Sequence, residues 1–204
     1  MTDVRARATM KAIMWTNLFL PARRTAPGFA AHAALTASLL LLPLLHAPQP
    51  AVAAPPRPDT DLPNFAVVAP GIYRGAAPTP AGLRRLKAMG VRTIVDLRIE
   101  KRGQAQEAAT AATLGLARLR LPMGREAPTR AQVRTFLATL ADPAQRPVFV
   151  HCQHGADRTG AMIGIYRVTQ QGWDFGRVWG EMRRYGFKPY LSELKGAVAT
   201  RAAR

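Results

Sequence analysis

From Asn64 onward the chain alternates short apolar runs with longer stretches of helical spacing. VRTIVDLR (Val91–Arg98) is dense in β-branched residues and reads as a buried strand, as does Pro147–Val150. Phe65–Val68 and Ile72–Arg74 are shorter strand candidates split by Pro70-Gly71, and Leu116–Leu121 alternates. TPAGLRRLKAMG opens on a threonine cap with proline in the first turn and stops at Gly90, which predicts a helix over Pro80–Met89. Gln104–Leu114 is alanine-rich and halts at Gly115; Thr129–Leu140 is amphipathic behind Pro128; Thr159–Gln171 has helical apolar spacing. Phe175–Tyr185 and Leu191–Ala203 close the chain as helices. Strands alternating with helices, without an internal repeat, predict an α/β domain with a central, mostly parallel sheet flanked by helices.

The first 63 residues follow another pattern. A basic lead precedes the apolar run AALTASLLLLPLLHA (Ala33–Ala47), which is short for a bilayer span and is followed by the small-residue triplet Ala51-Val52-Ala53. This predicts a signal peptide over 1–53 cleaved near Ala53, with Met10 or Met14 as possible internal starts. An uncleaved anchor and a buried helix are the competing readings. Residues 54–63, APPRPDTDLP, read as a proline-rich linker, leaving one folded domain over 64–204 and a periplasmic or secreted protein.

Composition sharpens this picture in two ways. Of 204 residues, 48% are hydrophobic but only 7% aromatic, so the core must rest on aliphatic side chains. The net charge is +17, and beyond residue 53 there remain 24 bases against 11 acids. That balance suits anionic partners such as phosphate esters, nucleic acid or an acidic membrane surface, and equally a solubilising arginine-rich surface. The single cysteine, Cys152, excludes an internal disulfide.

The chemistry gathers in VFVHCQHGADRTG (Val148–Gly160), where His151 and His154 flank Cys152 and Arg158 stands six positions on. A loop between strand end and helix start has unpaired backbone N–H groups and a favourable dipole for anions. It lowers the pKa of a cysteine placed there and cradles a tetrahedral dianion. Gly155 lets the loop bend, and an arginine can hold two phosphate oxygens at once. A nucleophile under a phosphate with an arginine beside it is the machinery of phosphoryl transfer through a thiophosphate. A buried structural cysteine is the plain alternative. Zinc held by His151, Cys152 and His154 would lack a fourth ligand, and ligands so close together fit a tetrahedron badly, so no metal or cofactor is expected.

HCQHGADRTG resembles the signature of cysteine-dependent tyrosine and dual-specificity phosphatases, and GIYRGAAPTPAGLRRLKAMGVRTIVDLR resembles the entry segment of compact bacterial members. The resemblance, over roughly Asn64–Gly186, implies a protein tyrosine phosphatase-like fold. It implies Cys152 as nucleophile, Arg158 as clamp, and Gln153, His154, Gly155, Ala156 and Asp157 with Arg158 as the phosphate cradle. Thr159 matches the hydroxyl that bonds the sulfur, and His151 the histidine that orders the loop.

The departure is the general acid. Relatives carry an aspartate on a loop before the cysteine, whereas Leu121–Thr129 offers only Glu126. Asp157, in a D-R-T sequence similar to myotubularin- and Sac-type lipid phosphatases, is the first candidate and Glu126 the alternative. Asp142 reads as structural, and Asp96 and Arg98 as packing residues near the site mouth. The expected substrate is a phosphorylated protein or small phosphate ester rather than nucleic acid, with an acidic membrane surface as a possible further partner. Phosphoinositides, inositol phosphates or lipid phosphates are the second reading, against which stands the absence of lysine from the loop. A phosphate-binding pseudophosphatase is the rival from another class.

Overall fold

The computed structural model describes residues 59–203, so the predicted signal segment and the first half of the predicted linker lie outside the described residues. Five strands of four residues each form one sheet: β1 (Ala66–Ala69), β2 (Ile72–Gly75), β3 (Thr93–Asp96), β4 (Ala117–Arg120) and β5 (Val148–His151). Their order is β1-β2-β5-β3-β4; β1 runs antiparallel to β2, and the other pairings are parallel. This is the α/β architecture expected from the alternation of elements. Of the strands, β3 and β4 are shorter than the runs Val91–Arg98 and Leu116–Leu121 that predict them.

Six helices cover the sheet: α1 (Pro80–Ala88), α2 (Gln104–Thr113), α3 (Arg130–Ala141), α4 (Asp157–Gln171), α5 (Phe175–Arg184) and α6 (Ser192–Ala202). Alternation along β5 explains the two layers. Phe149 joins Leu83 and Leu86 of α1 and Ala111 of α2 in one core. Val148 and Val150 face the other way, into a core with Phe136, Ile163, Val178 and Val198. Thr79 and Thr129 cap α1 and α3, with hydroxyls accepting from Gly82 N and Gln132 N. The fourth helix begins at Asp157, two residues before the predicted start at Thr159, so Asp157 and Arg158 sit in its first turn.

The predicted linker ends sooner than its proline content suggested. Asp59 accepts the N–H groups of Asp61 (3.0 Å) and Leu62 (3.1 Å) and pairs with Arg85 at 2.7 Å. That turn drives Leu62 into the α1 core with 1% of its surface exposed. Asp61 O then accepts from Thr79 N, and Pro63 O from Ala76 N. Packing against α1 is therefore already in place before Asn64, where the Asp59 carboxylate closes a turn. Leu62→Ala should cost about 2–5 kcal/mol, the usual range for emptying a buried leucine site. Urea unfolding measures this, and a loss below about 0.5 kcal/mol, the scale of surface changes, would return the segment to linker status.

Candidate active site

β5 delivers His151 and Cys152 to the carboxyl edge of the sheet, and α4 receives the chain at Asp157. Cys152 is buried, with 1% of its surface exposed. The loop between them is shaped by what happens to its carbonyls. Cys152 O faces His151 Nδ1 at 3.3 Å, Gln153 O accepts from Ala77 N at 3.3 Å, and His154 O accepts from Asn64 Nδ2 at 3.1 Å. Gly155 O accepts from Arg74 Nη2 at 2.8 Å. Four successive carbonyls are thus tied to groups outside the loop. Among the described residues no partner faces the N–H groups of Gln153 to Ala156, and the first helical bond runs from Gly160 N to Ala156 O. Such a run of free N–H groups beside a helix start is an anion cradle.

Gly155 makes this shape possible. Its φ is +67°, and a Cβ there would stand 2.5 Å from Gly75 C and 2.6 Å from Ala76 N. The loop rests directly on the end of β2, which only a glycine can permit.

Arg74, from the YRG stretch, is the concealed member of the site. It is buried with 1% exposure, stacks over the Tyr185 ring at 3.9 Å, and leaves Nε and Nη1 without hydrogen-bond partners. Burial brings its pKa down to about 10, against the raising influence of Glu181 and Tyr185, so it stays cationic near neutrality. A buried cation under the cradle adds to the attraction for a dianion. Its signal in the sequence was the YRG stretch, but nothing there pointed to a loop 81 residues away.

Arg158 turns to the loop mouth as expected, but it already holds an anion. Its Nη1 and Nη2 meet Glu100 Oε2 and Oε1 at 2.7 and 2.8 Å, a two-pronged ion pair. This pairing holds the Glu100 carboxyl below its ordinary range. For Arg158, burial works to lower the pKa, and Glu100 and the neighbouring Cys152 outweigh it. Glu100, on the loop after β3, carried no signal in the sequence beyond being a carboxylate.

The clamp opens into a pocket of about 420 Å³ that gathers Glu126, Asp157, Glu100, Arg125, Arg158, Lys188 and His154 between the apolar Ile99, Tyr190 and Leu194. Asp157 reaches the pocket, but its Oδ1 accepts from Lys188 N at 2.9 Å, fastening the Gly186–Tyr190 loop to α4. Glu126 is exposed and folds back over Gly124. Thr159, expected to bond the sulfur, is buried with its hydroxyl unpartnered among the described residues. Gln153, His154 and Ala156 lie in the loop as expected, Ala156 at the cap of α4.

Asp96 and Arg98 do not line this pocket. Arg98 Nε and Nη2 meet Asp96 at 2.8 and 3.0 Å, and Nη2 meets Glu107 of α2 at 2.5 Å. Arg118 bridges the same two carboxylates at 2.8 and 3.1 Å. His151 Nε2 lies 3.4 Å from Glu107 Oε1, beyond a good hydrogen bond, and the ring sits buried behind Cys152 with Nδ1 facing Cys152 O. Asp96, Glu107 and His151 lie close enough together to suggest metal ligands, but two guanidinium groups occupy the carboxylate oxygens. The cluster is an ion network that braces the loop from behind. Packing was the expectation for Asp96 and Arg98; charge pairing is what the fold uses them for.

A model of the phosphatase family described as the DSP-PTPase phosphatase fused to NAD+ kinase matches residues 57–189. The chain belongs to this phosphatase family. It is 33% identical over 129 residues to the dual specificity protein phosphatase TpbA of Pseudomonas aeruginosa (strain UCBPP-PA14), covering 61% of this chain and 55% of TpbA. It is 28% identical over 137 residues to the inositol diphosphatase DSP1 of Oryza sativa subsp. japonica, covering 65% of this chain and 61% of that protein. The chain thus spans little more than half the length of these relatives. The crystal structure of P. aeruginosa TpbA superposes with a TM-score of 0.57 at 25% identity, covering 72% of this chain and 94% of that one. The catalytic core of Siw14 from S. cerevisiae gives 0.58 at 22%, over 65% and 84%, which speaks to the fold.

The ion network sets an acid limit on stability. Burial would raise the Asp96 carboxyl, but Arg98 and His151 prevail and bring it from 3.8 to about 2. A carboxyl depressed on folding stabilises the protein above its unfolded pKa and loses that contribution as pH falls through the folded one. Stability should therefore drop by on the order of 2–3 kcal/mol between about pH 5 and pH 1. The gap in urea midpoint between the native protein and Asp96→Asn should narrow over that window; a constant gap would show that Asp96 does not carry the effect.

Proposed function

We propose that the chain is a cysteine-dependent phosphomonoesterase, with phosphoprotein as its substrate class and phosphotyrosine foremost. The outward anchoring of four loop carbonyls around Cys152 carries this reading, since it leaves N–H groups for a tetrahedral oxyanion. Cys152 Sγ attacks phosphorus as the ester P–O bond breaks and the leaving oxygen takes a proton. Water then attacks the phosphocysteine, phosphate departs, and the electron pair of the S–P bond returns to sulfur. Arg158 holds the equatorial oxygens through both steps, and buried Arg74 offsets their charge from below.

Pocket chemistry favours a phosphoprotein over a polyphosphate. The cationic side chains Arg125, Arg158 and Lys188 are matched by the anionic Glu100, Glu126 and Asp157, so the pocket is close to neutral. Ile99 and Tyr190 are 55% and 66% exposed and stand beside it, suited to the ring of a phosphotyrosine. An inositol phosphate would bring several further charges to three carboxylates. The kinship with inositol diphosphatases such as DSP1 keeps that substrate as the second reading.

Export is part of the proposal. Cleavage near Ala53 would leave intact the turn at Asp59 and the packing of Leu62 against α1. Amino-terminal sequencing of the mature protein should begin near Ala54, and an intact chain that pellets with membranes would make the segment an anchor instead.

For activity, Cys152→Ser should abolish turnover of phosphotyrosine peptides while retaining their binding. A phosphotyrosine peptide should be hydrolysed with a higher kcat/KM than inositol hexakisphosphate or its pyrophosphates. The reverse ranking would support the second reading. Binding without turnover of any of them in the native protein would establish the pseudophosphatase.

A further inference from the structure

The pocket holds three carboxylates, and a phosphatase of this design needs one of them to protonate the leaving oxygen. They are not equivalent. Asp157 spends Oδ1 on Lys188 N, and its place in the first turn of α4 leaves it part of the cradle wall. Glu126 lies against Gly124 and makes no recorded ion pair with Arg158 among the described residues. Glu100 alone of the three touches Arg158, with both oxygens on the guanidinium that must hold the substrate's phosphate.

We infer that Glu100 is the proton donor to the leaving group, released for that task when the substrate's phosphate takes Arg158. This assignment rests on the phosphatase reading above and deepens it. Glu100 occupies both Nη1 and Nη2 of Arg158, so a phosphate gripped in the same two-pronged way must displace at least one Glu100 oxygen. The displaced carboxyl has lost its cation and gained a dianion as neighbour, and both changes favour the protonated form. Its side chain is 43% exposed, so the proton comes from bulk water.

The steps then balance. As the S–P bond forms and the ester P–O bond breaks, the Glu100 O–H passes its proton to the departing oxygen and is left a carboxylate. In the second half that carboxylate takes a proton from the attacking water, whose oxygen bonds to phosphorus while the S–P pair returns to Cys152. Inorganic phosphate leaves, and Glu100 deprotonates as it regains Arg158.

The loop after β3 has freedom for such a movement. Ile99, Glu100 and Lys101 are all exposed, and among the described residues Arg158 is the ion-pair partner of Glu100. This also accounts for the missing aspartate of Leu121–Thr129: the donor enters from a different loop.

The test compares two aryl phosphates, one with a good leaving group and one with a poor one. Glu100→Gln should slow the poor substrate by about 10²–10⁴-fold, the usual contribution of acid catalysis, and the good one far less. Glutamine can still accept from Arg158 but cannot donate the proton, so a purely positioning role would slow both alike. Inorganic phosphate should also inhibit Glu100→Gln at lower concentration than the native enzyme, because the competing carboxylate is gone. Asp157→Asn and Glu126→Gln should lower both rates in the same proportion. Equal loss on both substrates in Glu100→Gln, or a leaving-group effect confined to either of the other variants, overturns the assignment while leaving the phosphatase reading intact. A native protein inactive on both substrates removes that reading and this assignment with it.

Discussion

The contact of Gly155 with the end of β2 is the constraint on which the rest of the site depends. A loop can present several N–H groups to one anion only if the carbonyls of the same peptides face the other way and are satisfied there. Here the satisfying groups come from the entry to β1, from β2 and from the residues just after β2: Asn64, Arg74 and Ala77. Without close approach at Gly155 the loop could not reach them. The parallel pairing of β2 with β5 brings Gly75 into register with His151, so the sheet itself sets the spacing.

Charge is then arranged in two tiers. Behind the loop, Asp96, Glu107, Arg98 and Arg118 form a buried network in which each carboxylate meets two guanidinium groups. Burying any one of these charges alone would be costly; together they are mutually satisfied. In front, Arg158 and Glu100 form a partly exposed pair that must open for a substrate phosphate. Arg74 stands between the tiers without a carboxylate partner, its burial relieved by Tyr185 and one carbonyl. The rear pairs fix geometry, whereas the front pair can exchange partners.

Function follows from this division. A cradle of free N–H groups above an unpaired buried cation is built for an anion, and Ile99 and Tyr190 are exposed at the edge of a pocket whose charges balance.

The sequence by itself determined the sheet-and-helix alternation, the helix cap at Thr79, and the reactive loop around Cys152 and Arg158. These are local: period, capping and fixed spacing are written in neighbouring residues. It placed the start of α4 two residues late, because no side chain caps that helix and its first turn is set by the shape of the loop before it. The roles of Arg74, Glu107 and Glu100 were decided only by the tertiary structure. Arg74 meets Gly155 across 81 residues and Glu100 meets Arg158 across 58, separations at which a lone charged letter carries no information about its partner. Strand register and the crossing of loops over the sheet edge bring such pairs together, and those depend on the whole core rather than on any stretch of chain.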